Sequence, residues 1–137
     1  MKSHIEVIES VLKARGYQTY FVDVPKDPTY PYVVLWSDAG LPSADSLAGC
    51  EDILRGRIGV TSVAVEPLPV LAMQAEVRRL LAPSARRWKR LNVPGRAAFL
   101  RLFDTRTVDV DRQVTLTSAN RHPSFGVDIF ELDSQPK

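Results

Sequence analysis

Residues 57 to 81 read RIGVTSVAVEPLPVLAMQAEVRRLL, and a change of period inside this stretch decides the fold. Ile58 and Val60 alternate with Gly59 and Thr61. After a slip of phase, Val63 and Val65 take the apolar positions. A period of two predicts a strand, drawn from Glu51 to Val65, with Gly56 and Gly59 expected to mark a bulge. At Pro67 and Pro69 the pattern changes. Val70, Met73, Val77 and Leu80 fall on one helical stripe, with Leu81 beside it. Proline is tolerated in a first helical turn, and Arg78 and Arg79 suit the negative end of the helix dipole. Pro83 ends the helix. A strand that feeds an amphipathic helix calls for a sheet with that helix laid on its face.

Toward the N-terminus, residues 3 to 15, SHIEVIESVLKAR, predict another helix, with Ile5, Ile8 and Leu12 on its apolar side. Ser3 with Glu6 three residues on is a capping-box pattern, and Gly16 is a natural stop. Tyr17 to Val24 reads as a strand. Pro25, Pro28 and Pro31 then make a turn, because proline cannot donate to a ladder. Tyr32 to Trp36, YVVLW, is a continuous apolar run that suits a strand buried on both faces. Residues 37 to 50, SDAGLPSADSLAGC, predict a long exposed loop, and loops of that length are commonly functional.

Toward the C-terminus, Arg86 to Val93 predicts a short strand or extended arm, and Pro94-Gly95 a turn. Ala98 to Val110 is a strand with Leu100, Leu102 and Phe103 placed inward. Asp111 to Ser118 continues it or forms another. Asn120 to Ser124 is a turn. In Phe125 to Leu132, FGVDIFEL, the residues Phe125, Val127 and Ile129 alternate with Gly126 and Asp128, which predicts a strand closing the sheet. Residues 133 to 137 are expected to fray. The order of elements gives one α+β domain over residues 1 to 137: a mostly antiparallel sheet packed against two helices.

The 137 residues, 45% hydrophobic and 25% charged, suit one folded domain rather than a disordered chain. Cys50 is the single cysteine, so neither a disulfide within the chain nor a cysteine-based metal site can form. His4 and His122 read as solvated surface histidines. There is no HExxH, GxSxG or phosphate-binding glycine loop, and Gly56-Arg57-Ile58-Gly59 lies inside a strand pattern and does not itself lead a helix. The acid pairs Glu51-Asp52 and Asp109-Asp111 read as solvated. The expectation is a protein without catalytic residues, cofactor or metal. The opening Met1-Lys2-Ser3-His4-Ile5-Glu6 has no long apolar run behind it, so neither a secretory signal nor a membrane span is expected.

The net charge of +2 is unevenly spread. Between Arg78 and Arg112 ten basic residues face three acidic ones, a net of +7, whereas residues 1 to 77 carry −4. The sharpest feature is Arg86-Arg87-Trp88-Lys89-Arg90. Its cations can meet an acidic protein surface or track a phosphate backbone while Trp88 stacks. No helix-turn-helix or RNP pattern is present, so any DNA contact would be sequence-independent.

The order of motifs resembles the tail terminator (tail completion) proteins of siphophages. The residues that carry the resemblance are the opening helix, Pro31-Tyr32-Val33-Val34-Leu35-Trp36, the Arg57 to Val63 run, Val77 to Leu81, Val110-Asp111, and His122 to Leu132. The resemblance implies an α+β subunit of a hexameric ring that caps the head-proximal end of the tail tube and stops its polymerisation. It implies the tail tube protein and a head-completion or connector protein as partners, with DNA passing through the ring. It also implies a place in the virion neck after assembly in the cytoplasm of the host bacterium. A head–tail joining protein and a basic nucleic-acid-binding module are the alternatives. Arg86, Arg87, Lys89 and Arg90 are the candidate lumen or subunit-interface residues. Asp38, Leu41, Asp45 and Leu47 are the candidates for a docking loop.

Overall fold

A computed structural model describes residues 1–43 and 53–137. In chain order the elements are α1 (Lys2–Ala14), β1 (Gln18–Phe21), β2 (Tyr32–Ser37), β3 (Leu41–Ser43), β4 (Ile53–Ala64), α2 (Pro67–Leu81), β5 (Lys89–Leu91), β6 (Arg96–Val110) and β7 (Ser124–Pro136). They form a seven-stranded sheet ordered β1-β2-β4-β7-β6-β5, with β3 attached to β4. β1 and β2 run parallel and the remaining pairs are antiparallel. The α+β class read from the sequence is the class observed.

Both helices lie on one face. That face is marked by the even-numbered residues of β4 and β7: a Cβ at Gly126 would meet the end of Gln74 on α2, and one at Gly56 would meet Met1 ahead of α1. Ile8 and Leu12 of α1, Val70, Val77 and Leu81 of α2, and Leu35, Ile58, Leu100, Phe130 and Leu132 of the sheet are buried together. Each such side chain contributes about 1.5–3 kcal/mol of transfer free energy. The buried stripe of α2 is Val70, Met73, Gln74, Val77 and Leu81, so Leu81 rather than Leu80 completes it.

Several sequence expectations are corrected here. β7 does not close the sheet; it lies between β4 and β6. Its inward residues are Ser124, Gly126, Asp128, Phe130, Leu132 and Ser134, so Phe125, Val127 and Ile129 face the other way. β7 also continues past Leu132: Ser134 to Pro136 pair with Ala98 to Arg96, which holds the end expected to fray. The register of β4 against β2 and β7 is unbroken through Gly59. The irregularities fall instead in β6, between Leu102 and Asp104 and between Arg106 and Asp109. The first of these leaves Phe103 outward and 44% exposed. Asp111 to Ser118 forms no strand, only an isolated bridge from Leu116 to Arg121. Part of the expected loop is paired too, since β3 lies against Ile53 to Arg55. α1 starts with Met1 at its N-cap and no side-chain cap, so the Ser3 capping box is not formed.

Candidate functional site

The face opposite the helices carries an apolar field. Cross-strand register sets Tyr32, Val63 and Phe125 in one row, Tyr20, Val34, Thr61 and Val127 in the next, and Trp36, Gly59 and Ile129 in a third. Val34, Trp36, Phe125, Val127 and Ile129 are each half-buried. The Trp36 indole lies across Gly59, where a Cβ would overlap it, and its Nε1 donates to Thr61 Oγ1 at 3.2 Å. Tyr32 packs edge-on to Tyr20, and burial beside Tyr30 pushes its phenol up to about 12. Both helices sit on the other side, so among the described residues no helix covers this face.

Further along the same face the rows turn charged. Arg57, Glu131 and Arg101 form one, and Arg55 and Asp133 the next. Arg101 pairs with Glu131 at 2.6 Å and stacks 4.6 Å over the Trp88 ring, while Arg57 lies 4.1 Å over Phe103. These residues wall an open cleft of about 550 Å³ that Asp38 and Leu41 border from the β3 side. Alternation of cations over aromatic rings with paired carboxylates makes this a polar rim beside an apolar field, the layout of a protein interface.

No family model matches the chain, and no curated protein matches it. Solved structures do. A chain of the virion of a native gene transfer agent particle matches over 96% of this chain and 91% of its own length, with a TM-score of 0.61 at 13% identity. A second solved chain matches over 97% and 96%, with a TM-score of 0.60, also at 13% identity. The likeness is one of fold, and it is shared across nearly the whole of each chain.

The residues singled out in the sequence separate in this fold. Arg86, Arg87 and Arg90 are exposed at the β5 end of the sheet. Lys89 is placed otherwise: its Nζ donates to the carbonyls of Arg79 and Leu80 at 3.0 and 3.1 Å, closing the C-terminal end of α2. Asp38 accepts from the Gly40 amide at 2.9 Å and Leu41 is 73% exposed. Asp45 and Leu47, with Cys50, lie outside the described residues. The fold thus brings Asp38 and Leu41 to the same cleft as Trp88.

Two polar groups inside the core were not legible as such. His4, expected at the surface, is 1% exposed. Its Nε2 lies 2.8 Å from Ser134 Oγ, which also accepts from Arg96 Nε at 2.6 Å. Burial, the amine of Met1 and Arg96 together push His4 down to about 4. On the α2 side, Asp128 is fully buried and accepts two bonds from Arg78, at 2.7 and 2.9 Å. Those bonds hold the Arg78 guanidinium above its ordinary pKa. Outside the core, Glu76 is clasped by Arg79 and Arg15, which hold it down to about 2. His122 Nδ1 lies 2.6 Å from the Val114 carbonyl. Among the described residues no group of three His, Cys, Asp or Glu side chains is arranged to hold a metal ion, and no helix is long and apolar enough to cross a membrane.

Proposed function

We propose that this chain is a structural subunit of a phage-like particle, a tail terminator that forms a ring on the head-proximal end of the tail tube. The observation that carries the proposal is the apolar face across β1, β2, β4 and β7, whose side chains are only half-buried at Val34, Trp36, Val127 and Ile129 and over which no helix is laid among the described residues. A two-layer domain whose sheet is apolar on both sides is short of a third layer, and a neighbouring subunit supplies it. The near full-length likeness in fold to a virion chain supports a particle as the setting, and the order of sequence motifs supports the terminator among particle proteins. In this reading the ring is hexameric, its partners are the tail tube protein and a head connector, and DNA passes through without sequence-specific contact. The side chains serve assembly rather than catalysis.

The test is removal of the gene from the genome that encodes the particle. A terminator is expected to leave tubes of uncontrolled length, with the protein itself seen by electron microscopy between tube and portal in complete particles. Tubes of normal length beside filled heads that leak DNA would replace this reading with that of a head–tail joining protein.

A further inference from the structure

The two edges of the sheet are unlike in a way that the apolar face does not explain. β1 forms one edge and β5 the other, with four strands between them. Exposed large apolar side chains stand at both: Phe21 and Val22 at the first, 44% and 62% exposed, and Trp88 and Phe103 at the second. The β1 edge holds a cleft of about 440 Å³ floored by Met1, Ile5 and Phe21, with Glu6, Glu9 and Asp38 on its walls. Asp23 stands next to it, its amide donating to the Phe21 carbonyl across a tight turn. The cations there are the amine of Met1, Lys2, which pairs with Glu6 at 3.7 Å, and Lys13, which pairs with Glu9 at 3.4 Å, so the carboxylates at this edge, Asp23 and Asp38 included, outnumber them by one. At the β5 edge, residues 82 to 103 contain six basic residues and no acidic one. Arg86, Arg87 and Arg90 are exposed there, and none has a carboxylate partner among the described residues.

We propose that a second copy of this chain sets its β5 edge, led by Trp88 between Arg86, Arg87 and Arg90, into the acidic cleft at the β1 edge of the first. The contact rests on the assembly reading above and names its surfaces. The two surfaces differ, so the contact is heterologous and repeats from copy to copy until the rotation closes a ring. An aromatic side chain with arginines around it is the typical anchor of an interface, and an apolar floor with charges at its rim is the typical receptor. Charge sets the direction: basic edge to basic edge, or acidic to acidic, brings like charges together. A phosphate backbone would satisfy the arginines but would leave the acidic cleft unexplained. One protein partner accounts for both.

The test measures the mass of the purified full-length chain by native mass spectrometry and light scattering, from low to high micromolar concentration. Arg86, Arg87 and Arg90 changed together to Glu, or Glu6 and Glu9 changed together to Lys, are each expected to weaken association about 100-fold. Trp88→Ala is expected to weaken it about tenfold or more. The combined charge-swapped chain is expected to regain the wild-type assembly, a recovery only self-pairing produces. Circular dichroism melts establish that each variant folds. Wild-type assembly in the reversed variants overturns this contact and leaves the assembly reading standing, as does failure of the swapped chain to recover. A wild type that stays monomeric at every concentration overturns both. Variants that keep the ring but lose salt-sensitive DNA binding would assign the arginines to nucleic acid and overturn the contact.

Discussion

Acid destabilises this protein in part through His4, a buried histidine whose contribution can be isolated. Its folded pKa lies near 4 against 6.5 in a free chain. Between those values the unfolded state binds a proton that the folded state refuses. Stability is therefore complete above about pH 6.5, falls as the pH falls, and levels off below about pH 4. Each pH unit separating the folded and unfolded values is worth about 1.4 kcal/mol. Two and a half units give roughly 3 kcal/mol in full and about 2 kcal/mol at pH 5. The cause is geometric: the ring is buried, Arg96 faces it through Ser134, and Nδ1 has no partner among the described residues to accept a second proton. Urea melts at pH 8 and pH 5 measure the loss, with His4→Gln as the reference. The variant keeps polar reach toward Ser134 Oγ and cannot titrate, so the acid-induced loss in wild type should exceed that of the variant by about 2 kcal/mol. Contributions common to the two proteins cancel in the comparison. Equal losses in the two proteins would refute the reasoning.

Three further outcomes follow from single contacts. Arg78→Met strands the buried Asp128 carboxylate and should lower stability by about 3 kcal/mol in denaturant titration, whereas Arg78→Met with Asp128→Leu should recover most of that loss. Gly59→Ala places a methyl in the Trp36 ring and should lower stability by about 1–3 kcal/mol. Adding Trp36→Ala should remove the conflict, so the pair departs from additivity. Val22 holds a positive φ of 65°, which a β-branched residue tolerates poorly, so Val22→Gly should raise the thermal midpoint, by about 0.5–1 kcal/mol in free energy.

Much of the fold was legible because periodicity reports burial. The switch from period two to 3.6 at Pro67 placed β4 and α2 within a residue or two. Tyr32 to Trp36 reads as buried on both faces; Val33 and Leu35 are buried, whereas Tyr32, Val34 and Trp36 on the other face are only half-buried. The misreadings share one cause. In β7 the larger apolar residues, Phe125, Val127 and Ile129, are on the face away from the helices. The inward set contains Ser124, Gly126, Asp128 and Ser134, residues that a pattern argument assigns to solvent. Each has a tertiary reason: Gly126 makes room for Gln74, Asp128 answers Arg78, and Ser134 joins His4 to Arg96. None of these partners is within 35 residues in sequence, so no local window contains the information. The bonds of Lys89 to α2 were hidden for a similar reason, since the free carbonyls of α2 become its partners only once β5 has folded back beside them.

The same inversion is what makes the surface informative. Had Phe125, Val127 and Ile129 faced the helices, the opposite side of β7 would have been Gly126 and Asp128, and the apolar field would have ended at β4. Instead the core below is satisfied partly by ion pairs and hydrogen bonds, while apolar side chains of the central strands point out beside Val34 and Trp36. A monomer gains nothing from that exchange, because apolar area left in water forgoes about 25 cal/mol per Å². In the assembly proposed above, a neighbour removes that area from water. Changing Val127 and Ile129 together to Ser should thus leave the melting temperature of the isolated subunit nearly unaltered while abolishing assembly, as read by electron microscopy. Loss of folding with no selective loss of assembly would show that the face belongs to the subunit's own core.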